Sequence, residues 1–336
     1  MKQRGSILIL SIWILLILSI FAASVGYSAR NFINSASRFE IRSELRLIAK
    51  SGIEKGIAVL RYDSKNETVT KGGYSAKLWS SNEAEFKDIV MGRGFASVLY
   101  HSSDEVIYGI VDEEGKININ QTEDLEVFEK LLQNAASLSS ERAAEIAAAI
   151  FDWKDADEEK VNKQGAESDF YQTMQPKYVT RNAPFDALDE LLFVRGVTYE
   201  IYDALKPYIT TKTEGIINLN AASKPVLVAL GMSSLLADKI IQFRAGTDQI
   251  LRTADDRFFQ DIETASERLK QTTGISTEEE QVFAQILADH SFRVSSALFM
   301  IRSEARIQRR RERLIVEALV DKQGGIRSWH ELFQAL

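Results

Sequence analysis

Two acidic loops hold the residue groupings that could do chemistry. The first reads Asp152-Trp-Lys-Asp155-Ala-Asp157-Glu-Glu159 and continues through Gly165-Ala-Glu167-Ser-Asp169. Carboxylates this close repel, by about 1 kcal/mol per pair at ~4 Å in bulk water and by more beside protein. A Ca²⁺ ion turns that repulsion into binding, because it takes roughly six to eight oxygen ligands at about 2.3–2.6 Å. Asp152, Asp155, Asp157 and Glu167 are the candidate ligands, although the loop lacks the Gly and Glu spacing of an EF-hand. The second loop reads Gly246-Thr-Asp248-Gln-Ile-Leu-Arg-Thr253-Ala-Asp255-Asp256-Arg257, with Asp248, Asp255 and Asp256 as candidates. Its own Arg252 and Arg257 could neutralise it without a metal. For both loops, a solvated acidic turn is the competing reading.

Other chemistry is sparse. The chain has no cysteine, which excludes disulfides, cysteine zinc sites, iron–sulfur clusters and a cysteine nucleophile. Its three histidines, His101, His290 and His330, are far apart. There is no GxSxG, so no enzyme is expected. A net charge of −7 argues against a general nucleic-acid binder. The 336 residues, 45% hydrophobic and 26% charged, suit about two globular domains or one with large insertions.

The elements that must position these loops start at the N-terminus. Met-Lys-Gln-Arg-Gly5 is followed by Ser6 to Ala29, a run of 24 residues without a charge. As a helix this run is about 36 Å long, enough to cross a ~30 Å hydrocarbon core. Lys2 and Arg4 precede it and should stay cytoplasmic, sending the bulk of the chain outward. Three readings fit. One is a Sec signal peptide cut after Tyr27-Ser28-Ala29. Another is a plain signal anchor. The third is a short basic leader ending at Gly5, which resembles the signal of type IV pilin-like proteins, cut by prepilin peptidase between Gly5 and Ser6. From Arg30 to Arg61 no proline intervenes, and Ile41, Leu45, Ile48, Ile53, Ile57 and Leu60 recur near a 3.6-residue period. One long helix, apolar and then amphipathic, has the shape of a pilin N-terminal helix.

Residues 66–112 predict strands at 68–70, 73–79, 95–100 and 106–111, from β-branched and aromatic runs separated by Gly, Ser and Asp. From Lys116 to about Asp289 the period becomes helical. Within that block Ile117-Asn-Ile-Asn120 matches Ile217-Asn-Leu-Asn220, each preceded by glycine and followed by two helices and an acidic loop. The second Asn of each motif is expected to cap the helix after it. Around Gly231 the second copy resembles a helix-hairpin-helix, so a membrane-anchored DNA-binding protein of an uptake system is the alternative reading, beside a type IV pilus minor pilin, although Ser233 stands where DNA-binding hairpins carry a second glycine. Strands return from Phe292 to Val320. The basic run Arg309-Arg-Arg-Glu-Arg313 between two of them reads as a solvated hairpin end.

Several phrases in order match one family. They are Gly5 before the apolar helix, Asp112-Glu-Glu-Gly-Lys-Ile-Asn-Ile-Asn120, Phe151-Asp-Trp-Lys-Asp-Ala-Asp157, Gly165-Ala-Glu167, Asn182-Ala-Pro-Phe-Asp-Ala-Leu-Asp-Glu-Leu-Leu192 and Gly196-Val-Thr198. Gly215-Ile-Ile-Asn-Leu-Asn220, Arg244-Ala-Gly-Thr-Asp248 and Thr253-Ala-Asp-Asp256 complete the set. Together they resemble the minor pseudopilin K family of the bacterial type II (general) secretion system. The resemblance implies an α+β fold: a pilin-like long helix and antiparallel sheet, with a large all-α insertion of two SAM-like modules. On that reading 1–5 is a leader and 6–29 a transmembrane helix. Residues 30–115 and 291–336 make the pilin-like domain, and 116–214 and 215–290 are the two modules. It also implies bound calcium, a single-pass place in the inner membrane with the C-terminal bulk in the periplasm, and a position at the pseudopilus tip. The implied partners are minor pseudopilins I and J, other pseudopilins, prepilin peptidase and inner-membrane lipid, with no nucleic acid. Pilin-like proteins usually carry Glu at the fifth mature position; counted from Ser6 this chain has Leu10, which suits a subunit at the end of a filament. Gln249 and Arg252 stand where the family leads one to expect glycines, which sets the second loop apart.

Overall fold

The computed structural model describes residues 4–66, 79–102, 105–253 and 255–334. Helix α1 runs unbroken over Arg4–Asn66, a span of 63 residues, as the absence of proline before Pro176 allows. Gly5 and Ser6 lie in its first turn. Its first half exposes Ile, Leu, Trp and Phe on all sides, Leu10 among them at 61%. Its second half buries Leu45, Ile48, Ala49, Ile53, Ile57 and Leu60 on one stripe.

That stripe packs on an antiparallel sheet. Its strands are β1 (Ile89–Met91), β2 (Gly94–Val98), β5 (Val111–Asp112), β10 (Leu298–Ile307), β11 (Arg313–Asp321) and β12 (Ile326–Gln334). The order is β1-β2-β10-β11-β12, with β5 on β10 beyond the end of β2. Alternation along β10 turns Phe299, Ile301, Ser303, Ala305 and Ile307 inward. Glycines in α1 let helix and strand meet closely: a Cβ on Gly56 would lie 2.9 Å from Ile301, and one on Gly52 would strike the Ser303 hydroxyl. These contacts fix direction. As β10 advances from Ile301 to Arg306, it moves from Gly56 toward Ile48, back toward the N-terminus of α1.

The strand expected at 95–100 ends at Val98, and the one at 106–111 is broken. Tyr100–Ser102 and Glu105–Ile107 form a separate hairpin, β3–β4. At Gly109 the Ser80 backbone crosses so closely that no Cβ fits, so only Val111 and Asp112 reach the sheet. The strand expected at 68–70, and 73–79 apart from Trp79, lie outside the described residues.

The helical block leaves the sheet after β5 and re-enters at β10. Strands from both sides of the block thus share one sheet. The repeated motif has the same structure twice. Ile117–Asn118 (β6) pairs in parallel with Ile209–Thr210 (β7), and Ile217–Asn218 (β8) pairs in parallel with Phe292–Arg293 (β9). The first Asn of each copy accepts the backbone N–H of the second, at 2.8 and 2.9 Å. The expected caps are corrected. Asp124 caps the helix Leu125–Ala135, accepting from Glu126 N–H. Ser223 precedes Lys224–Ala229. Asn120 and Asn220 instead clamp a distant loop: each exchanges two hydrogen bonds with the backbone of Phe185 or Phe259, at 2.8 and 2.9 Å. The helices of both copies bury one continuous apolar cluster. At the hairpin, Gly231 takes a left-handed φ of 96° and the Ser233 hydroxyl caps the next helix. Lys224 there is paired to Asp238 at 2.6 Å. The hairpin is thereby committed to packing, and the DNA-binding reading is not favoured.

Candidate metal centre

The helix Ser140–Lys154 is alanine-rich and starts under a Ser139 cap. Its last turn brings Asp152 inward, and Asp155 follows as the C-cap, its N–H donating to the Phe151 carbonyl. Carboxylates at this end meet the negative pole of the helix dipole, an unfavourable placement that a cation offsets. The chain returns through Gly165 to Glu167, which precedes the short helix Ser168–Tyr171. Asp152, Asp155 and Glu167 are thereby gathered, with one ligand oxygen from each lying within 4.8 Å of the others. A Cβ on Gly165 would collide with Asp152 Oδ2, so glycine is what allows the loop to close on the acid. Arg195 donates to the carbonyls of Gln164 and Gly165 at 3.3 and 3.4 Å, and its N–H donates to the Tyr171 hydroxyl. Tyr171 packs edge-on against Trp153, which ties the loop to the apolar cluster.

Asp152 spends Oδ1 on the Val161 N–H at 2.8 Å. Asp152 Oδ2, Asp155 Oδ1 and both Glu167 oxygens are buried without a hydrogen-bond partner. Burial, then Asp157 and Asp152, push Asp155 up to about 6. Burial, then Asp152 and Asp155, push Glu167 up to about 7. Buried, unpaired carboxylate oxygens facing one another are costly unless a cation joins them.

Asp157 stands outside this trio. It is exposed and accepts from Glu159 N–H, and it contributes only its field. Sequence reasoning missed Glu158 and Asn182. Glu158 Oε1 accepts from Ser168 Oγ and from Asn182 Nδ2. Asn182 sits at a left-handed φ of 50° and keeps a buried, unpartnered Oδ1. The turn phrase Asn182-Ala-Pro was the available signal.

The second loop does not assemble a comparable set among the described residues. Asp255 accepts from the Thr247 hydroxyl, the Thr253 hydroxyl, and the N–H groups of Thr247 and Asp248. These bonds hold its carboxyl well below the usual carboxylate range. Asp256 accepts from the N–H groups of Arg252 and Thr253, and exposed Asp248 from that of Ile250. Gln249 and Arg252 adopt φ of 60° and 70°, the left-handed region in which glycine is unstrained. At both positions the backbone takes a conformation that glycine adopts most easily.

A third acidic group joins sheet to block. Asp112 Oδ2 accepts from Ser296 Oγ at 2.8 Å and Asn218 Nδ2 at 3.0 Å, and Oδ1 accepts from Glu114 N–H. Burial pushes this carboxyl up to about 7. A carboxyl raised on folding favours the fold below its unfolded value, and that contribution is lost as pH rises through the folded one. At fixed calcium, the thermal midpoint of the natural chain minus that of Asp112→Asn is therefore expected to shrink between about pH 5 and 8. A gap that stays constant over that range would contradict the assignment.

The family model described as type II secretion system (T2SS), protein K, matches residues 109–213. Type II secretion system protein K of Klebsiella pneumoniae is 25% identical, over 96% of this chain and 94% of that protein. Its counterpart in Aeromonas hydrophila is 36% identical over 29% of this chain and 30% of its own length. The fold is that of a chain in the crystal structure of the GspK-GspI-GspJ complex of the enterotoxigenic Escherichia coli type 2 secretion system. That match has a TM-score of 0.65 at 17% identity, and covers 89% of this chain and 99% of the other. The full-length alignment, the matched model and the shared fold agree that this chain is similar to type II secretion system protein K.

Proposed function

We propose that this minor pseudopilin is held by α1 in the inner membrane with its bulk in the periplasm, and caps the tip of the pseudopilus. Its role is assembly, without catalysis, in company with minor pseudopilins I and J. One observation carries this reading: the place of the helical block. The block leaves β5 and re-enters β10 where Asp112 pairs with Phe299, two residues along the strand beyond the Ile301 contact with Gly56. That is the end of the sheet farthest from the apolar half of α1. A block there leaves the lower part of α1 free to pack among other subunits, while its width obstructs stacking of a further subunit above. Leu10, in place of the usual Glu, suits a subunit with no neighbour above it.

The test is co-purification. The full chain, extracted in detergent from cells expressing the whole secretion system, is expected to bring down pseudopilins I and J in equal amounts and the major pseudopilin only in trace. Equal recovery of the major pseudopilin with no enrichment of I and J would contradict a tip position.

The first acidic loop fits a hard divalent cation, and calcium is the natural one. It offers several unpartnered buried oxygens, from the carboxylates and from the Asn182 amide. Asp152, Asp155 and Glu167 would hold the ion. When bound it neutralises their mutual repulsion and fixes the loop against the helix Ser140–Lys154. In the second loop the threonine hydroxyls and loop N–H groups already serve its acids, so one calcium is the expected content.

A further inference from the structure

We propose that the β10–β11 hairpin, Gln308–Glu312, is a docking site for the phosphate of anionic phospholipid headgroups on the membrane that α1 crosses. The inference rests on the anchor reading above and adds to it a surface that the apolar helix does not explain.

Direction comes first. β10 runs antiparallel to α1, and Arg306 is already level with Ile48. The strands continue downward, so the hairpin stands beside the turn of α1 that contains Arg38 and Arg42. Arg38, Ile41, Arg42, Glu312 and Phe333 accordingly line one shallow groove. Arg38 is nine residues beyond Ala29, about 14 Å along the helix at ~1.5 Å per residue. Phe32 and Ile33 remain 75% and 65% exposed, so the apolar surface extends past Arg30 and raises the membrane boundary toward the hairpin. The polar headgroup layer adds a further ~5–8 Å. The hairpin guanidinium groups thus stand within about one Debye length of the headgroups.

Charge comes second. Arg309, Arg310, Arg311 and Arg313 are exposed, and none has an ion-pair partner among the described residues. The nearby acids are otherwise engaged: Glu40 and Glu44 are both held by Arg93, and Glu331 by Arg46. Glu312 is the remaining carboxylate on the hairpin. The chain as a whole carries −7, yet the end that faces the bilayer is basic. Arginine forks suit phosphate oxygens, and polybasic segments beside a membrane helix are drawn to anionic lipid.

The absence of cysteine makes the test clean. Gln308→Cys in the full chain, labelled with a donor dye, is reconstituted into phosphatidylcholine vesicles with or without phosphatidylglycerol, with acceptor dye on the headgroups. The expected result is higher energy transfer with phosphatidylglycerol. That gain should be lost at high salt and in a chain also carrying Arg309→Gln, Arg310→Gln and Arg311→Gln, whose unchanged thermal midpoint shows it folded. Equal transfer in both vesicles, with the chain resisting alkaline extraction, would overturn the lipid site and leave the anchor standing. Extraction of the chain at alkaline pH would overturn both. The same gain from inorganic phosphate added to phosphatidylcholine vesicles would assign the cluster to a soluble anion and overturn the lipid assignment.

Discussion

Chelating calcium is expected to lower the thermal midpoint of the detergent-solubilised chain by about 5–10 °C. A ligand at ~100 times its Kd stabilises by about 2.7 kcal/mol, and each kcal/mol moves the midpoint of a domain this size by about 2–4 °C. The difference should depend on pH in a definite direction. Without metal, Asp155 and Glu167 are raised to about 6 and about 7. Their contribution to the metal-free fold is present below about pH 4 and lost as pH rises through those values. Calcium needs the same groups ionised. The gap between calcium and chelator should therefore widen from about pH 5 to 8. Glu167→Gln supplies the discriminating sign. It should lose most of the calcium response, yet in chelator at about pH 8 it should match or exceed the natural chain, because an uncompensated buried carboxylate is gone. Destabilisation by Glu167→Gln in chelator, with the calcium response intact, would show that the trio is not the site.

The second large effect is expected from Asn220→Ala. The side chain holds three backbone groups: the buried Phe259 N–H and C=O, and the part-buried Val294 C=O. Leaving a buried group unpaired costs about 1–3 kcal/mol, and the loss here should total about 3–5 kcal/mol. Phe259 is fully buried and stacks on Phe243 with centroids 4.4 Å apart, so the loop cannot swing out to water without emptying that site. The equivalent change in the first copy, Asn120→Ala, frees only the two Phe185 groups at a less buried position. It should cost about half as much. Equilibrium urea unfolding of the two variants compares them directly. Equal or reversed costs would mean that the clamps do not bear the load their hydrogen bonds imply.

Much of this arrangement was legible because its cause is local. The helix α1 follows from an unbroken periodic pattern, and the repeat from two matching Ile-Asn-x-Asn phrases. Asp152, Asp155 and Glu167 were legible as a group because a helix end and a returning glycine loop force them together. What was not legible depends on partners distant in sequence. Asn120 and Asn220 look like caps from their neighbours, but they serve loops 65 and 39 residues away. Asp248, Asp255 and Asp256 look like the first loop until Thr247 and Thr253 are seen to satisfy two of them. The basic run at 309–313 reads as an ordinary turn in isolation. Only the antiparallel course of β10 along α1 turns it toward the membrane.

The reading of this chain as a pilin-like subunit is tested most directly by the mature N-terminus of the protein taken from its own membrane fraction, measured by mass spectrometry. Cleavage after Gly5, with an N-methylated Ser6 as the first residue, is the expected result. A first residue of Arg30 would mean that Ser6–Ala29 is a discarded signal peptide, and would contradict the anchored, filament-tip account.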